Sequence, residues 1–492
     1  MNSRAVRRVL LLALVCFGPV FARAEGIFDK YFLDFTMRID YIHFGNAETE
    51  EISIDQIYLQ NGWAGSLENL IDPFNNGRYA VNVHDVASQA LIYSKGFDSY
   101  FGEYKTTSRA IRGQKRAYHE SALIPYPKRP VILSIEVRDK ENVLHSVFRR
   151  EIDPADESII KENPDPRIRV FPVISHGDPH TKVDVAFIAE GYTQSEEAKV
   201  KKDFFRFSEV LFSQEPYKSR RDCFNVSGVF LPSPDSGVDE PRRGIYKNTA
   251  LGATFNSLGS ERYLLTEDNE ALRDIASAVP YDVLFIMVNH QRYGGGGIYN
   301  LYCVFTTDNQ WHEYLILHEF GHSFAGLGDE YYTSSVAYND FYPKGIEPLE
   351  PNITALLHPD KPKWGSLLSP GIEIPTPWEK EDFDRMDGEY QALRQKINDK
   401  IARMKREGRD PGDIARVEEE SERLSRENAK KMDGYLRKSR FWGRIGAFEG
   451  AGYSAHGLYR PMVDCIMFSK GKKPYCMICE EAIIRVIDYY SR

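Results

Sequence analysis

The stretch His318-Glu319-Phe320-Gly321-His322-Ser323-Phe324-Ala325-Gly326-Leu327-Gly328-Asp329-Glu330-Tyr331 decides how the chain is read. On an α-helix, residues four apart lie about 40° apart around the axis, so His318 and His322 project from one face. Two imidazoles on one face can share a tetrahedral Zn²⁺, whose borderline-soft character suits nitrogen. Glu319 stands beside them, where a carboxylate acts as general base toward a metal-polarised water. Two histidines leave such an ion short of a ligand, so the helix has to end soon after His322 and bring a third one back. Gly326 and Gly328 are the expected stop, because glycine takes the left-handed conformation that ends helices. Asp329 is the expected third ligand, although Glu330 next to it is chemically as able. His318, His322 and Asp329 leave one position open, the pattern of a catalytic ion. An HExxH pattern also arises by chance in amphipathic helices. Here helical residues before it, glycines after it and the acid that follows act together.

The remaining sequence bounds the reading. With 492 residues the chain is long enough for two domains with sizeable cores, and 42% hydrophobic residues with 13% aromatics mark it as globular. A net charge of −9 leaves no basic footprint for nucleic acid. Arg4, Arg7 and Arg8, the apolar run Val9 to Phe21 and the small-residue site Ala22-Arg23-Ala24 read as a signal peptide over residues 1–24. The run is short for a membrane span, and Val15 before Cys16 is bulky for a lipoprotein site. An exported protein starting near Glu25 is expected, periplasmic, surface-associated or extracellular, with no membrane span. Export permits disulfides, and five cysteines remain: Cys223, Cys303, Cys465, Cys476 and Cys479. Cys476-x-x-Cys479 suggests a second zinc, but only Cys465 is near as a further sulfur. A local disulfide to Cys465 or two plain thiols is therefore expected.

Two regions with different patterns follow one another. Phe32 to Tyr41 alternates, with Leu33, Phe35, Met37, Ile39 and Tyr41 on one side and Asp34, Thr36, Arg38 and Asp40 on the other. Strands are expected at Ile52 to Leu59, after the Asn76-Gly77 turn, and at Val131 to Val137 and Leu144 to Ile152. Residues 25–160 thus read as a β-sandwich-like domain. Asp153 to Pro172 carries four prolines and reads as a linker. Residues 161–492 then alternate strands and helices: Val183 to Ala189, a helix capped by Thr193 and Glu196, Tyr281 to Val288, Ile298 to Thr306 and the motif helix from about Gln310. Gly294 to Gly297 resembles a phosphate loop, but no Lys-Ser/Thr follows and a strand stands where a helix is needed. A mobile loop beside an edge strand is expected, and an exposed strand there can take an extended peptide. Pro343 to Pro377 reads as a long loop on the cleft rim. Apolar stripes from Met386 to Met404 and from Ile414 to Leu436 predict an antiparallel helical hairpin, inserted at about 380–440 as a solvated element. Met467, in Asp464-Cys465-Ile466-Met467, fits a Met-turn beneath the zinc.

These residues resemble one family. His318 to Tyr331, with the downstream Gly457-Leu458-Tyr459-Arg460-Pro461 and Cys465-Ile466-Met467, is similar to the bacterial IgA-peptidase-type zinc metallopeptidases. The resemblance implies an α+β multidomain fold: a β-rich N-terminal domain followed by a metzincin-like α/β catalytic domain. It matches His318 and His322 to the zinc histidines, Glu319 to the general base, Asp329 to the acidic ligand and Met467 to the Met-turn. The third ligand falls one residue later than in metzincins at large, so Gly328 occupies a usual ligand position.

Peptide hydrolysis with one Zn²⁺ and Glu319 as base is the expected activity, on protein or peptide substrates. Endopeptidase action is preferred because an edge strand binds a peptide along its length. Tyr459 and His456 are the candidate donors to the oxyanion. Two rivals are a non-catalytic zinc protein that binds glycan or protein at the cell surface, and a gluzincin-type peptidase with a later glutamate ligand. The intact Glu319 and open fourth position oppose the first; Asp329 and Met467 oppose the second.

Overall fold

The computed structural model describes residues 26–260, 263–333 and 342–491. The signal-like segment 1–24 lies outside them. The chain begins with strands β1 (Phe32–Gly45), β2 (Glu50–Asn61), β3 (Tyr79–Asp85), β4 (Leu91–Phe97), β5 (Arg116–Pro127), β6 (Val131–Arg138), β7 (Leu144–Ile152) and β8 (Ile160–Lys161). They form two four-stranded sheets, ordered β5-β1-β2-β8 and β4-β3-β6-β7. Met37, Ile39 and Tyr41 of one sheet and Val81, Val83, Leu133 and Ile135 of the other share one apolar core. The period of two that places them there is the pleat of the strand.

The other face of β1 departs from the expected half-buried strand. Arg38 and Asp40 are fully buried, not solvated. The Arg38 guanidinium donates to Asp40 at 2.6 Å and to Asp274 at 2.6 Å. Asp274 belongs to the helix Asn269–Ala276 of the next domain. The polar face of β1 is therefore an interdomain surface, where a buried charge is tolerated because it is paired.

The expected linker contains structure. β9 (Arg169–Ile174) lies antiparallel on β11 (Phe224–Phe230) at one edge of a six-stranded sheet, ordered β15-β16-β14-β10-β11-β9. Pro172 is accommodated because an edge strand has unpaired positions. The two-residue strands β12 (Thr254–Phe255) and β13 (Leu264–Leu265) form a separate ribbon. At the centre of the six-stranded sheet, β10 (Val183–Glu190), β11, β14 (Val283–Val288) and β16 (Tyr302–Thr306) run parallel. β10 is buried along its whole length, as a parallel strand covered on both faces should be. Val183, Val185 and Phe187 face the helix Glu197–Leu211, the motif helix His312–Ala325 and the closing helix Met477–Tyr490. Ala186 and Ile188 face Leu272 and Ile275, and the same cluster takes in Tyr100, Phe101 and Tyr118 of the N-terminal region.

β15 (Gly295–Ile298) corrects the reading of the glycine run. Three of its four residues are the glycines expected in a mobile loop, yet they form an edge strand antiparallel to β16. A Cβ at Gly297 would stand 2.2 Å from the Glu319 carbonyl oxygen, so only glycine lets this strand lie against the motif helix.

The motif helix ends at Gly326, which is left-handed with φ 60°. Gly328 does not share the stopping role. Its φ is not positive, and a Cβ there would meet Ile353 Cδ1 at 2.5 Å, so it is a close-packing glycine. Two long helices, Lys380–Arg406 and Pro411–Leu436, form the hairpin. Lys405 pairs with Glu418 at the tip, and the Tyr435 hydroxyl donates to the Glu379 carbonyl at the base. β17 (Phe448–Ala451) and β18 (Ser454–Arg460) make a final two-stranded ribbon, turned by Gly452 and Tyr453, both at positive φ. No described helix is long and apolar enough to cross a membrane.

Candidate active site

The motif helix presents His318 and His322 one turn apart, and the left-handed turn at Gly326 sends the chain back past them. Their Nε2 atoms lie 3.3 Å apart. Asp329 Oδ1 lies 3.0 Å from the His318 Nε2 and 3.2 Å from that of His322. Donor atoms about 2.0–2.1 Å from a tetrahedral ion stand about 3.3 Å from one another, so the three form one face of such a tetrahedron. Two imidazole nitrogens and a carboxylate oxygen are a donor set that zinc accepts.

The histidine tautomers suit this. His318 Nδ1 lies 3.1 Å from the Ile466 carbonyl, and His322 Nδ1 lies 2.5 Å from the Leu327 carbonyl. A carbonyl only accepts, so each Nδ1 carries the proton and each Nε2 turns its lone pair to the common point. Asp329 is buried, and its Oδ1 has no hydrogen-bond partner. Its Oδ2 accepts from the Tyr453 hydroxyl. Burial opposes charge on His322, but the Asp329 carboxylate beside it raises the imidazole to about 9. Burial likewise opposes charge on Asp329, and the two imidazoles hold it well below the usual range. Metal binding at such donors competes with a proton and releases it.

The surroundings give the site its shape. Glu319 opens into the same cleft, of about 270 Å³, and its carboxylate lies against β15. A Cβ on Gly295 would be 2.9 Å from its Oε1. β15 forms one wall. Asp387, Tyr390 and Arg394 of the first hairpin helix and Asn428 and Met432 of the second form the other. Most of the hairpin is exposed or half-buried, as expected of a solvated element, and one face of it also walls the cleft. Beneath, Met467 packs its sulfur against Gly321, where a Cβ would come within 2.9 Å. Its carbonyl accepts from the Glu330 amide at 2.9 Å.

Other expectations are corrected. His456 is 81% exposed and pairs with Glu449, and Tyr459 bridges to Thr354 through its backbone. Neither lines the cleft; Tyr331 and Tyr453 do. The Tyr331 ring stacks over His318, with ring centroids 6.2 Å apart. Tyr331 ends the motif stretch, and Tyr453 follows Gly452 in a glycine-rich turn. That turn was the available signal for Tyr453. Glu330 turns away from the histidines. Cys465, Cys476 and Cys479 are free, so of the two expected alternatives the plain thiols agree with the structure and the local disulfide to Cys465 does not.

A helix-borne histidine pair with an acid folded back beside it, under an edge strand of a mixed sheet, is the build of a metallopeptidase. Residues 171–487 match the family model of IgA Peptidase M64, and residues 27–149 match that of the Peptidase M64 N-terminus. The chain belongs to the IgA peptidase M64 family of metallopeptidases. Compared with curated proteins, it shows no match.

Proposed function

We propose that the chain is an exported zinc-dependent endopeptidase, acting on extracellular proteins, with Glu319 as general base. The observation that carries this reading is the convergence of His318 Nε2, His322 Nε2 and Asp329 Oδ1 at tetrahedral spacing. When held by these three residues, zinc supplies a Lewis acid that polarises the scissile carbonyl and acidifies water. The carbonyls of Ile466 and Leu327 keep the imidazoles oriented, and Tyr453 keeps Asp329 Oδ1 turned inward. Glu319 accepts the proton of the attacking water and returns it to the leaving amine nitrogen. Its carboxylate lies between β15 and the histidine pair, where an extended peptide along β15 would bring a carbonyl. Among the described residues, the outer edge of β15 is bridged only at Gly295, by Tyr263. Met467 packed beneath Gly321 supports a metzincin-like arrangement, with the hairpin as an insertion that walls the cleft.

Purified protein incubated with a mixed, unstructured peptide library, with and without chelator, tests the reading by mass spectrometry. Internal cuts are expected that stop on zinc removal and return on its addition. Glu319→Gln should keep its zinc and lose about 10²–10⁴-fold in rate, the usual weight of a general base. Full activity in that variant would sink the mechanism.

A further inference from the structure

Beside the histidine site the fold gathers four donors from three distant parts of the chain. Glu330 follows Asp329, Cys465 precedes the Met467 turn, Cys476 caps the closing helix, and Cys479 lies in its first turn. All four are buried, and their ligand atoms lie within 4.8 Å of one another. Cys465 Sγ stands 3.9 Å from Cys479 Sγ. Glu330 Oε1 stands 3.4 Å from Cys479 Sγ and 3.9 Å from Cys476 Sγ. Around a tetrahedral zinc with sulfur at about 2.3 Å and oxygen at about 2.0–2.2 Å, the edges are about 3.8 Å between sulfurs and about 3.5 Å from sulfur to oxygen. We propose that Glu330, Cys465, Cys476 and Cys479 hold a second, structural zinc ion.

Three further observations point to a ligand there. Glu330 Oε2 is buried with no hydrogen-bond partner, a costly state for a carboxylate. Two backbone amides converge on Cys465 Sγ, from Cys476 at 3.1 Å and Met467 at 3.5 Å, as suits an anionic sulfur better than a thiol. The buried cation Arg460 acts on Glu330 electrostatically and offsets part of the charge of such a site. A disulfide does not satisfy the cluster. Cys465 Sγ and Cys479 Sγ stand 3.9 Å apart against about 2.0 Å for the bond, and oxidation would leave one thiol beside a carboxylate whose Oε1 accepts from the Asn352 side-chain amide at 3.0 Å and whose Oε2 stays unpartnered. Four protein donors fill a tetrahedral ion and leave no open position, so this zinc binds no substrate.

Its role follows from its neighbours. The ion would tie the Glu330 end of the returning turn to the 465–467 loop and to the closing helix. Ile466 orients His318, and the Met467 carbonyl accepts from the Glu330 amide. The second zinc therefore holds Asp329 and His318 in position while touching neither.

The wild-type full chain is the first sample, purified without chelator. Two zinc ions per chain are expected by elemental analysis. All five cysteines between residues 26 and 491 should alkylate after unfolding without reductant. Cobalt replacement should add a near-ultraviolet sulfur-to-cobalt charge-transfer band. A His318→Ala/His322→Ala variant should keep one ion and the charge-transfer band. Glu330→Gln, which preserves the three sulfurs, should lose or weaken the second ion. One zinc per chain with no charge-transfer band overturns the proposal, as does a disulfide among Cys465, Cys476 and Cys479. Because the histidine variant reports on the other site alone, a failure of the catalytic reading shows separately, as a variant that loses no metal.

Discussion

β15 and the motif helix touch with almost no clearance, and Gly297→Ala measures what that contact does. The added Cβ would lie 2.2 Å from the Glu319 carbonyl oxygen and 2.9 Å from His322 Cβ. A carbon–oxygen contact ordinarily needs about 3.3 Å, so strand and helix must part by about 1 Å. The obstructing atom is helix backbone, which cannot swing aside as a side chain does. Overpacking of this kind costs about 1–3 kcal/mol, and a displacement of about 1 Å at reacting groups costs about a hundredfold in rate. Gly297→Ala should therefore melt earlier, retain zinc less firmly at the histidine pair and lose about a hundredfold in kcat/KM on any peptide the wild type cuts. Gly295→Ala is the internal control. Its Cβ would meet Glu319 Oε1 at 2.9 Å and Cγ at 3.1 Å, atoms of a movable side chain, and the Val304 carbonyl at 3.1 Å. It should lower kcat through the displaced base and leave zinc content near that of the wild type. Thermal melting, elemental analysis and peptide kinetics on the three proteins read all of this. Wild-type melting and kcat/KM in Gly297→Ala would refute the account of the glycine run.

Tyr453→Phe removes the hydroxyl that donates to Asp329 Oδ2, and should weaken zinc at the histidine site by about 10–100-fold in competition with a chromophoric chelator. Unchanged affinity would remove Tyr453 from the site. Asp329→Ala should release the ion held by His318 and His322, whereas a glutamate ligand from a later helix predicts near-complete retention; metal analysis decides. In the N-terminal sandwich, burial pushes the Asp85 carboxyl up, but hydrogen bonds from Ser88 and Arg129 hold it below the usual range. Its contribution is complete above about pH 4, the ordinary aspartate value, and fades as pH falls through the lower folded value. The gap in unfolding free energy between wild type and Asp85→Asn should then narrow on acidification below about pH 4. A gap that widens there would contradict the ion pair.

Sequence and tertiary structure divided the information along physical lines. The spacing of His318 and His322, the helix that carries them and the left-handed stop at Gly326 were legible, because helix geometry and glycine conformation act within a few residues. So were the paired helices of the hairpin and the strand alternation at Met37, Ile39 and Tyr41, but not at Leu33 and Phe35, which are exposed where the strand's register shifts between Leu33 and Thr36. The sequence alone could not say which face of β1 meets another domain, because Asp274 reaches Arg38 from 236 residues away. It also misread the glycine run. Flexibility and close approach call for the same residue, and only the motif helix lying 2.2 Å from an added Cβ at Gly297 tells them apart.

Asp329 and Glu330 mark the limit most clearly. As adjacent acids they are chemically equivalent to any reading of the motif, and each could complete the histidine pair. Consecutive side chains leave the backbone in different directions, so one turns to the histidines and the other to Cys465, Cys476 and Cys479. Tyr453, 124 residues downstream, meets Asp329, and Cys476 and Cys479, 146 and 149 residues downstream, meet Glu330. Local chemistry pointed to a metal-binding motif; long-range packing decided which acid stands beside its histidines and what the other one faces.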